Sequence, residues 1–247
     1  MLSPNAQHLA FQHAMTILEL RLRVKAGAAR NAYLRQSAKV YAETGHPPAF
    51  LAANHKLRLQ QALQAHYDAT GAYFGRLALQ ALRDGRKAAL TPVQVLMHSW
   101  VQREALRKAQ MIADTDRDDI YGVIAQRLED GLGTAEIATG IRKLTGFTPY
   151  RSALIARTET HAAATYGSIE SVRNAEQTLD LPILKRWLPT SDNRTRPEHL
   201  AMRGQPAIPL AEEFLVGGEP MDRPGDSGAS AHNLVNCRCS LVYEEAD

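Results

Sequence analysis

The sequence has 247 residues, of which 45% are hydrophobic and 22% are charged, and its formal net charge is +3. These values are ordinary for a soluble globular protein of one or two domains, and no run of about 18 apolar residues predicts a membrane span. The N-terminus lacks the pattern of a secretory signal, and two cysteines argue against a disulfide scaffold and fit a reducing compartment.

The charge is unevenly distributed along the chain. Residues 1–112 contain 15 Lys and Arg against 5 Asp and Glu, whereas residues 113–247 contain 14 against 21. A basic helical half joined to an acidic half indicates an anionic partner for the first half, either nucleic acid or an acidic protein surface. The alternative is a solvated helical surface with scattered cations, since the sequence has no dense basic run and few interleaved aromatic residues.

Most of the chain before residue 180 has the apolar spacing of helices. Thr91 and Thr148 each precede a proline; the threonine can cap a helix, and the proline suits its first position. Gly71 and Gly75 allow a kink or a close helix contact. The predicted helices span residues 5–42 (one helix or two in line), 51–83, about 92–112, 118–130, 134–144 and 149–177.

An acidic break is predicted between two of these helices, at Asp114, Asp116, Asp118 and Asp119. The segment lacks the glycine and the distal glutamate of a calcium loop. Carboxylates near the start of the next helix would complement its dipole, and this interpretation is preferred to a cation site.

The pattern changes after Pro182, where short apolar segments alternate with turns. Strands are predicted over 183–188, 207–210 and 234–243, the last interrupted at the cysteines. This is too little strand for a large sheet, so the predicted fold class is α+β, with a predominantly helical N-terminal region and a small α+β C-terminal module. The predicted domains are a basic helical domain over 1–130 and an α+β domain over 131–247.

The two cysteines are separated by one residue, so that on an extended segment both would point to the same face. Two thiolates with a histidine or a carboxylate can hold zinc in a tetrahedral site. The alternative is that the cysteines are small buried residues in a strand and that the histidines cap turns. The candidate metal ligands are Cys237, Cys239, His199, His232 and Asp192, and zinc is the candidate cofactor.

An enzyme is the competing functional class. A metal-dependent hydrolase or nuclease could use Asp192, His199 and His232, although spacing alone does not show whether these groups converge. The sequence contains no phosphate-binding loop, no nucleophile elbow and no His-Glu-x-x-His motif. No catalytic residue and no organic cofactor are therefore assigned.

A series of separated motifs runs through the C-terminal half. The motifs are, in order, Ile155-Ala156-Arg157-Thr158-Glu159, Lys185-Arg186-Trp187, Asp192 with Arg194-Thr195-Arg196 and His199, Gly204-Gln205-Pro206, Phe214, Pro224-Gly225-Asp226 and Asn236-Cys237-Arg238-Cys239. This series resembles the phage Mu F-like head morphogenesis family, over roughly residues 130–242. The family's polar signature falls on Asp192, His199, Asn236, Cys237 and Cys239.

This resemblance implies a minor capsid component that is made in the bacterial cytoplasm and is present in the virion, in the capsid interior or at the portal vertex. Its implied partners are the portal protein and other capsid proteins, with a role in procapsid assembly and, in some members, in the fate of the DNA at ejection. Double-stranded DNA is a further candidate partner, because the basic N-terminal half would suit either a portal surface or packaged DNA. No membrane partner is expected.

Overall fold

The computed structural model describes residues 3–82, 91–144 and 149–246. These residues form two compact units that interleave along the chain. Unit 1 combines Met1–Leu20, His66–Trp100 and Leu154–Asp247, and unit 2 combines Arg21–Ala65 and Val101–Ala153. The division into domains at residue 130 stays a prediction.

Long helices dominate the chain, as predicted. The chain reverses between the first two at Gly45, whose φ of 69° suits a residue without a side chain, and at Pro47 and Pro48, which cannot continue a helix. The predicted cap at Thr148 lies outside the described residues. No helix in the described ranges is long and apolar enough to cross a membrane. The helices are α1 (Pro4–Thr44), α2 (Ala49–Ala81), α3 (Val93–Glu129), α4 (Thr134–Lys143) and α5 (Pro149–Leu179).

The predicted break in the acidic segment is wrong, because α3 continues through it without interruption. Within unit 2, Asp116 is fully buried, accepts a hydrogen bond from Arg30 Nε at 2.7 Å and lies 2.8 Å from His55 Nε2. The imidazole of His55 stacks on Tyr33, with ring centroids 4.4 Å apart. The Asp116 carboxylate is therefore paired with Arg30 and His55 inside the helical packing. It does not need the positive end of a helix dipole, which the predicted break would have provided.

Two small antiparallel sheets follow α5 and confirm the α+β class. In the first, residues 183–188 form the central strand between residues 208–209 and residues 240–245, and the second is a hairpin of residues 214–216 and 219–221. The predicted strand over 234–243 is wrong in its first half. Residues up to Leu234 form a short helix, a turn follows at residues 235–236, and Cys237 and Cys239 lie in the irregular segment before the strand. The elements are β1 (Ile183–Leu188), α6 (Pro197–Leu200), β2 (Ile208–Pro209), β3 (Phe214–Val216), β4 (Glu219–Met221), α7 (Ala231–Leu234) and β5 (Ser240–Glu245).

The core of unit 1 lies between α5 and these sheets. Trp187 of β1 is 1% exposed and packs with Phe214 and with apolar residues of α5, including Ile169 and Val172. The α2 and α5 backbones also meet directly, since a side chain at Gly167 would overlap the backbone of Gly71. The predicted close helix contact at Gly71 is thereby confirmed.

The first turns of α1 cover the outer edge of β5. The Gln7 side chain pairs with the backbone of Tyr243 in both directions, its Nε2 donating to the carbonyl oxygen and its Oε1 accepting from the N–H, each at 3.1 Å. Gln12 Nε2 donates to the backbone oxygen of Arg238 at 2.6 Å. These amides occupy edge groups that another strand would otherwise pair with.

Candidate metal centre

The Cys-x-Cys segment is held in place by contacts with α5. Asn236, the residue before the first cysteine, has a φ of 61°, in the left-handed region that Asn tolerates better than most residues. Its N–H donates to Thr158 Oγ1 at 3.1 Å, and Arg157 donates to its Oδ1. Arg157 and Thr158 belong to the helical motif noted in the sequence, so that motif positions the turn that immediately precedes Cys237 and Cys239.

His199 meets both cysteines. It lies on α6, which begins with Pro197 at its first position, and its ring packs edge-on against Trp187, with centroids 5.4 Å apart. His199 Nδ1 is 3.5 Å from Cys237 Sγ and 3.4 Å from Cys239 Sγ. In the part of the chain that the structure describes, this is the one group of three or more His, Cys, Asp or Glu whose ligand atoms lie within 4.8 Å of one another.

The three side chains are almost fully buried, with exposed fractions of 1% for His199, 2% for Cys237 and 1% for Cys239. A hydrogen bond from Cys237 lowers the pKa of Cys239 well below its usual value, against the opposing effect of burial. Two buried cysteines beside an imidazole are a chemically suitable ligand set for a metal such as zinc.

Asp192 and His232 lie outside this group. The two carboxylate oxygens of Asp192 accept hydrogen bonds from the two terminal nitrogens of Arg238, each at 2.6 Å. These hydrogen bonds are the main cause that lowers the pKa of the Asp192 carboxyl. His232 has an exposed side chain, and its Nε2 lies 3.9 Å from a carboxylate oxygen of Glu198. The structure thus brings together three of the five candidate ligands.

Asp192 nevertheless acts on the Cys-x-Cys segment through Arg238, which lies between the two cysteines. The Arg238 guanidinium is bound by Asp192, and its backbone oxygen accepts from Thr190 Oγ1 at 2.7 Å as well as from Gln12. The residue between the two thiols is therefore fixed at both its side chain and its backbone. This arrangement gives Asp192 a positioning role rather than contact with the candidate metal site.

One residue at the centre has no counterpart among the candidates drawn from sequence. Asn233 of α7 is 1% exposed, and its Oδ1 lies 3.2 Å from His199 Nε2. Its Nδ2 donates to the Val216 carbonyl oxygen at 3.3 Å. The only available signal was its position four residues before Cys237, because neither spacing nor composition shows that it meets His199.

The family model "Phage Mu protein F like protein" matches residues 118–242, which is half of the chain and includes all the residues of this centre. The chain belongs to the phage Mu F-like family. This membership confirms the resemblance noted in the sequence.

Two curated relatives match this Mu F-like chain over part of its length. Minor head protein GP7 of Bacillus phage SPP1 is 31% identical over 127 residues, which cover 51% of this chain and 40% of the relative. NAD(+)--arginine ADP-ribosyltransferase EFV of Enterococcus faecalis is 31% identical over 115 residues, which cover 47% of this chain and 23% of the relative. The aligned region spans less than half of either relative. No solved structure matches the chain.

Proposed function

We propose that the protein is a minor head protein that acts in head morphogenesis of a tailed phage or prophage, at the portal vertex. The supporting observation is membership of the Mu F-like family over residues 118–242, together with similarity to a protein named as a minor head protein. In this proposal the protein is made in the bacterial cytoplasm and is incorporated into the virion with the portal and other capsid proteins.

The partner surface of this proposal lies on the basic segment of unit 2. Residues 21–65 contain eight Lys and Arg and a single acidic residue, Glu43. Arg21, Lys25 and Arg35 are exposed side chains of α1 for which the described residues supply no ion pair. Residues 4, 14 and 18 positions apart share one face of a helix, so Arg21, Lys25 and Arg35 lie on one face with Lys39. An acidic portal surface or packaged double-stranded DNA would complement this face.

Co-purification with the portal protein of the same phage tests the docking role. We expect the intact chain to bind assembled portal and to be detected by mass spectrometry in purified virions. The charge-reversed variant Arg21→Glu, Lys25→Glu, Arg35→Glu should lose portal binding. Binding of the wild type to the portal should weaken as the salt concentration rises. Virions that contain no trace of the protein would refute the head-protein proposal itself.

Direct DNA binding is tested separately with a duplex of random sequence. Contacts from four cations predict a logarithmic dependence of affinity on salt with a slope of about −3.6, since each phosphate contact contributes roughly −0.9. A slope near zero, or no binding at low salt, would exclude DNA and leave the portal as the partner of the basic face.

Zinc is the proposed metal at the His199–Cys237–Cys239 centre. Bonds of about 2.3 Å to sulfur and 2.0–2.1 Å to nitrogen imply a nitrogen–sulfur edge of about 3.5–3.6 Å in a tetrahedral site. The observed separations of 3.5 and 3.4 Å between His199 Nδ1 and the two Sγ atoms are close to this edge. The site's burial and its position between α6 and β5 favour a structural role, in which zinc would tie these elements together.

Metal analysis by mass spectrometry, on protein purified without chelator and under reducing conditions, tests the zinc proposal. We expect about one zinc per chain and loss of both the metal and the folded C-terminal elements in the variant Cys237→Ser, Cys239→Ser. A wild type without metal, whose melting is unchanged by the double substitution, would show instead that the cysteines are packed apolar residues.

No observation in the described residues favours the hydrolase alternative. That mechanism needs Asp192, His199 and His232 to share a metal, whereas Asp192 is engaged by Arg238 and His232 faces Glu198. The head-protein proposal therefore rests on the family membership, and the zinc proposal rests on the separations between His199, Cys237 and Cys239.

A further inference from the structure

We propose that Asn233 is a positioning residue that selects the metal-binding form of His199, an inference that rests on the zinc proposal above. A neutral imidazole carries its proton on either Nδ1 or Nε2, and only the nitrogen without a proton can bind a metal. His199 presents Nδ1 to both cysteines, so metal binding requires the proton to be on Nε2.

The orientation of the Asn233 amide is determined by its second contact. The Val216 carbonyl oxygen can only accept a hydrogen bond, so the Asn233 atom 3.3 Å from it must be the donating Nδ2. The other amide atom, Oδ1, then faces His199 Nε2 at 3.2 Å and can only accept. The His199 proton is therefore held on Nε2, and the Nδ1 lone pair is directed toward Cys237 and Cys239.

The surrounding fold fixes this amide. Asn233 is 1% exposed on α7, and the Val216 oxygen that anchors it lies at the end of β3, just before the glycines of the β3–β4 turn. Gly217, with a φ of 57°, passes close to Asn233 Nδ2, where a Cβ on the glycine would come within 3.7 Å. A hydrogen-bond partner that holds the remote nitrogen of a ligand histidine raises metal affinity, and loss of such a partner typically costs about 10–100-fold.

Three single variants, with Zn²⁺ as the probe and a chromophoric chelator as competitor, test the proposal. Asn233→Ala removes the acceptor, and we expect its zinc affinity to fall about 10–100-fold. Asn233→Asp keeps an acceptor facing Nε2 but loses the donor to Val216, and we expect it to retain wild-type affinity or exceed it. The exposed Asn193→Ala in the same module is the matched control and should bind zinc as the wild type does.

A merely structural role for Asn233 predicts a different order. If Asn233 contributed to zinc affinity only through its hydrogen bond to Val216, Asn233→Asp would lose as much zinc affinity as Asn233→Ala. That result would overturn the proposal. An unchanged affinity in Asn233→Ala would overturn it as well. Circular dichroism establishes whether each variant is folded. If Asn233→Ala does not fold, the His199 tautomer measured by NMR in Asn233→Asp and in the wild type still tests the role of Asn233.

Nitrogen-15 NMR of the metal-free wild type separates this inference from the zinc proposal. We expect His199 as the tautomer protonated at Nε2 in the wild type and in Asn233→Asp, and a mixture of tautomers in Asn233→Ala. Absence of zinc binding with this pattern intact would refute the metal proposal alone. A wild type protonated at Nδ1 would refute the role of Asn233 whether or not zinc binds.

Discussion

Removal of the buried carboxylate of Asp116 should strongly destabilise the helical packing of unit 2. Asp116 is fully buried, and its two oxygens contact Arg30 Nε at 2.7 Å and His55 Nε2 at 2.8 Å. In Asp116→Ala the Arg30 guanidinium, which is 2% exposed, keeps Asp119 as a carboxylate partner at 2.8 Å but loses the shorter and more buried pair. His55 would lose the partner of its Nε2, and its Nδ1 has no hydrogen-bond partner among the described residues.

The magnitude follows from this arrangement. Breaking a buried ion pair by removing one partner costs about 3–5 kcal/mol, because the remaining charge stays desolvated. Because Arg30 keeps its contact with Asp119, the expected loss of unfolding free energy is near the lower end of this range, about 3 kcal/mol. With a denaturant slope of about 2–3 kcal/mol per molar urea, the unfolding midpoint should fall by about 1–1.5 M.

Urea unfolding followed by circular dichroism at 222 nm is a suitable assay, because helices dominate the signal. Asp118→Ala is the matched control on the same helix: Asp118 is two residues away, its side chain is 67% exposed, and its partner is the exposed Arg117. Exposed pairs of this kind contribute little, because water and salt screen the charges, so the unfolding midpoint of the control should stay close to that of the wild type. Equal stabilities for the two variants would refute the view that the acidic segment is an internal packing element.

Three further substitutions test other parts of the fold. Gly167→Ala should destabilise unit 1 by about 1–3 kcal/mol in the same urea assay, because its Cβ would overlap the Gly71 backbone, which cannot move aside. Gly122→Ala is its control. Among the described residues, no atom outside its own helix lies within 4 Å of the added Cβ, so stability should rise by about 0.5–1 kcal/mol. A loss at Gly122 or a gain at Gly167 would contradict the packing described. Burial raises the pKa of Glu19 above its ordinary value of 4.5, against the opposing charge of Arg157, so the folded carboxyl holds its proton more tightly than the unfolded one. The stability of the wild type relative to Glu19→Gln should therefore be greatest below pH 4.5 and fall as the pH rises through the raised pKa; a difference that is constant from pH 4 to pH 7 would argue against this shift.

Local signals predicted the regular elements well. Prolines after Gly45 and after Thr91 mark a helix end and a helix start, and the alternating residues of 183–188 predict β1, because these signals act within a few residues of the chain. The acidic segment was misjudged because its partners are remote. Asp116 is 86 residues from Arg30 and 61 from His55, and no local pattern distinguishes a buried carboxylate from a solvated one.

The candidate site was predicted in part for the same reason. Cys237 and Cys239 are neighbours in sequence, whereas His199 is a candidate ligand only by its residue type and its place in the family signature, which assigns it no role. Nothing local distinguishes His199 from His232, although one is buried beside the cysteines and the other is exposed. Asn233 was missed because its importance lies in the direction of its amide, which depends on the Val216 carbonyl in a separate hairpin.

The pairing of Gln7 with Tyr243 has a consequence for synthesis on the ribosome. The two residues are 236 positions apart, so the amide of Gln7 must wait until almost the entire described chain has been translated before it can meet its partner. Until then the early turns of α1 lack their final contacts, and once β5 emerges its edge is open to other strands. Closure of this contact should be among the last folding events, because contacts between residues far apart in sequence form late.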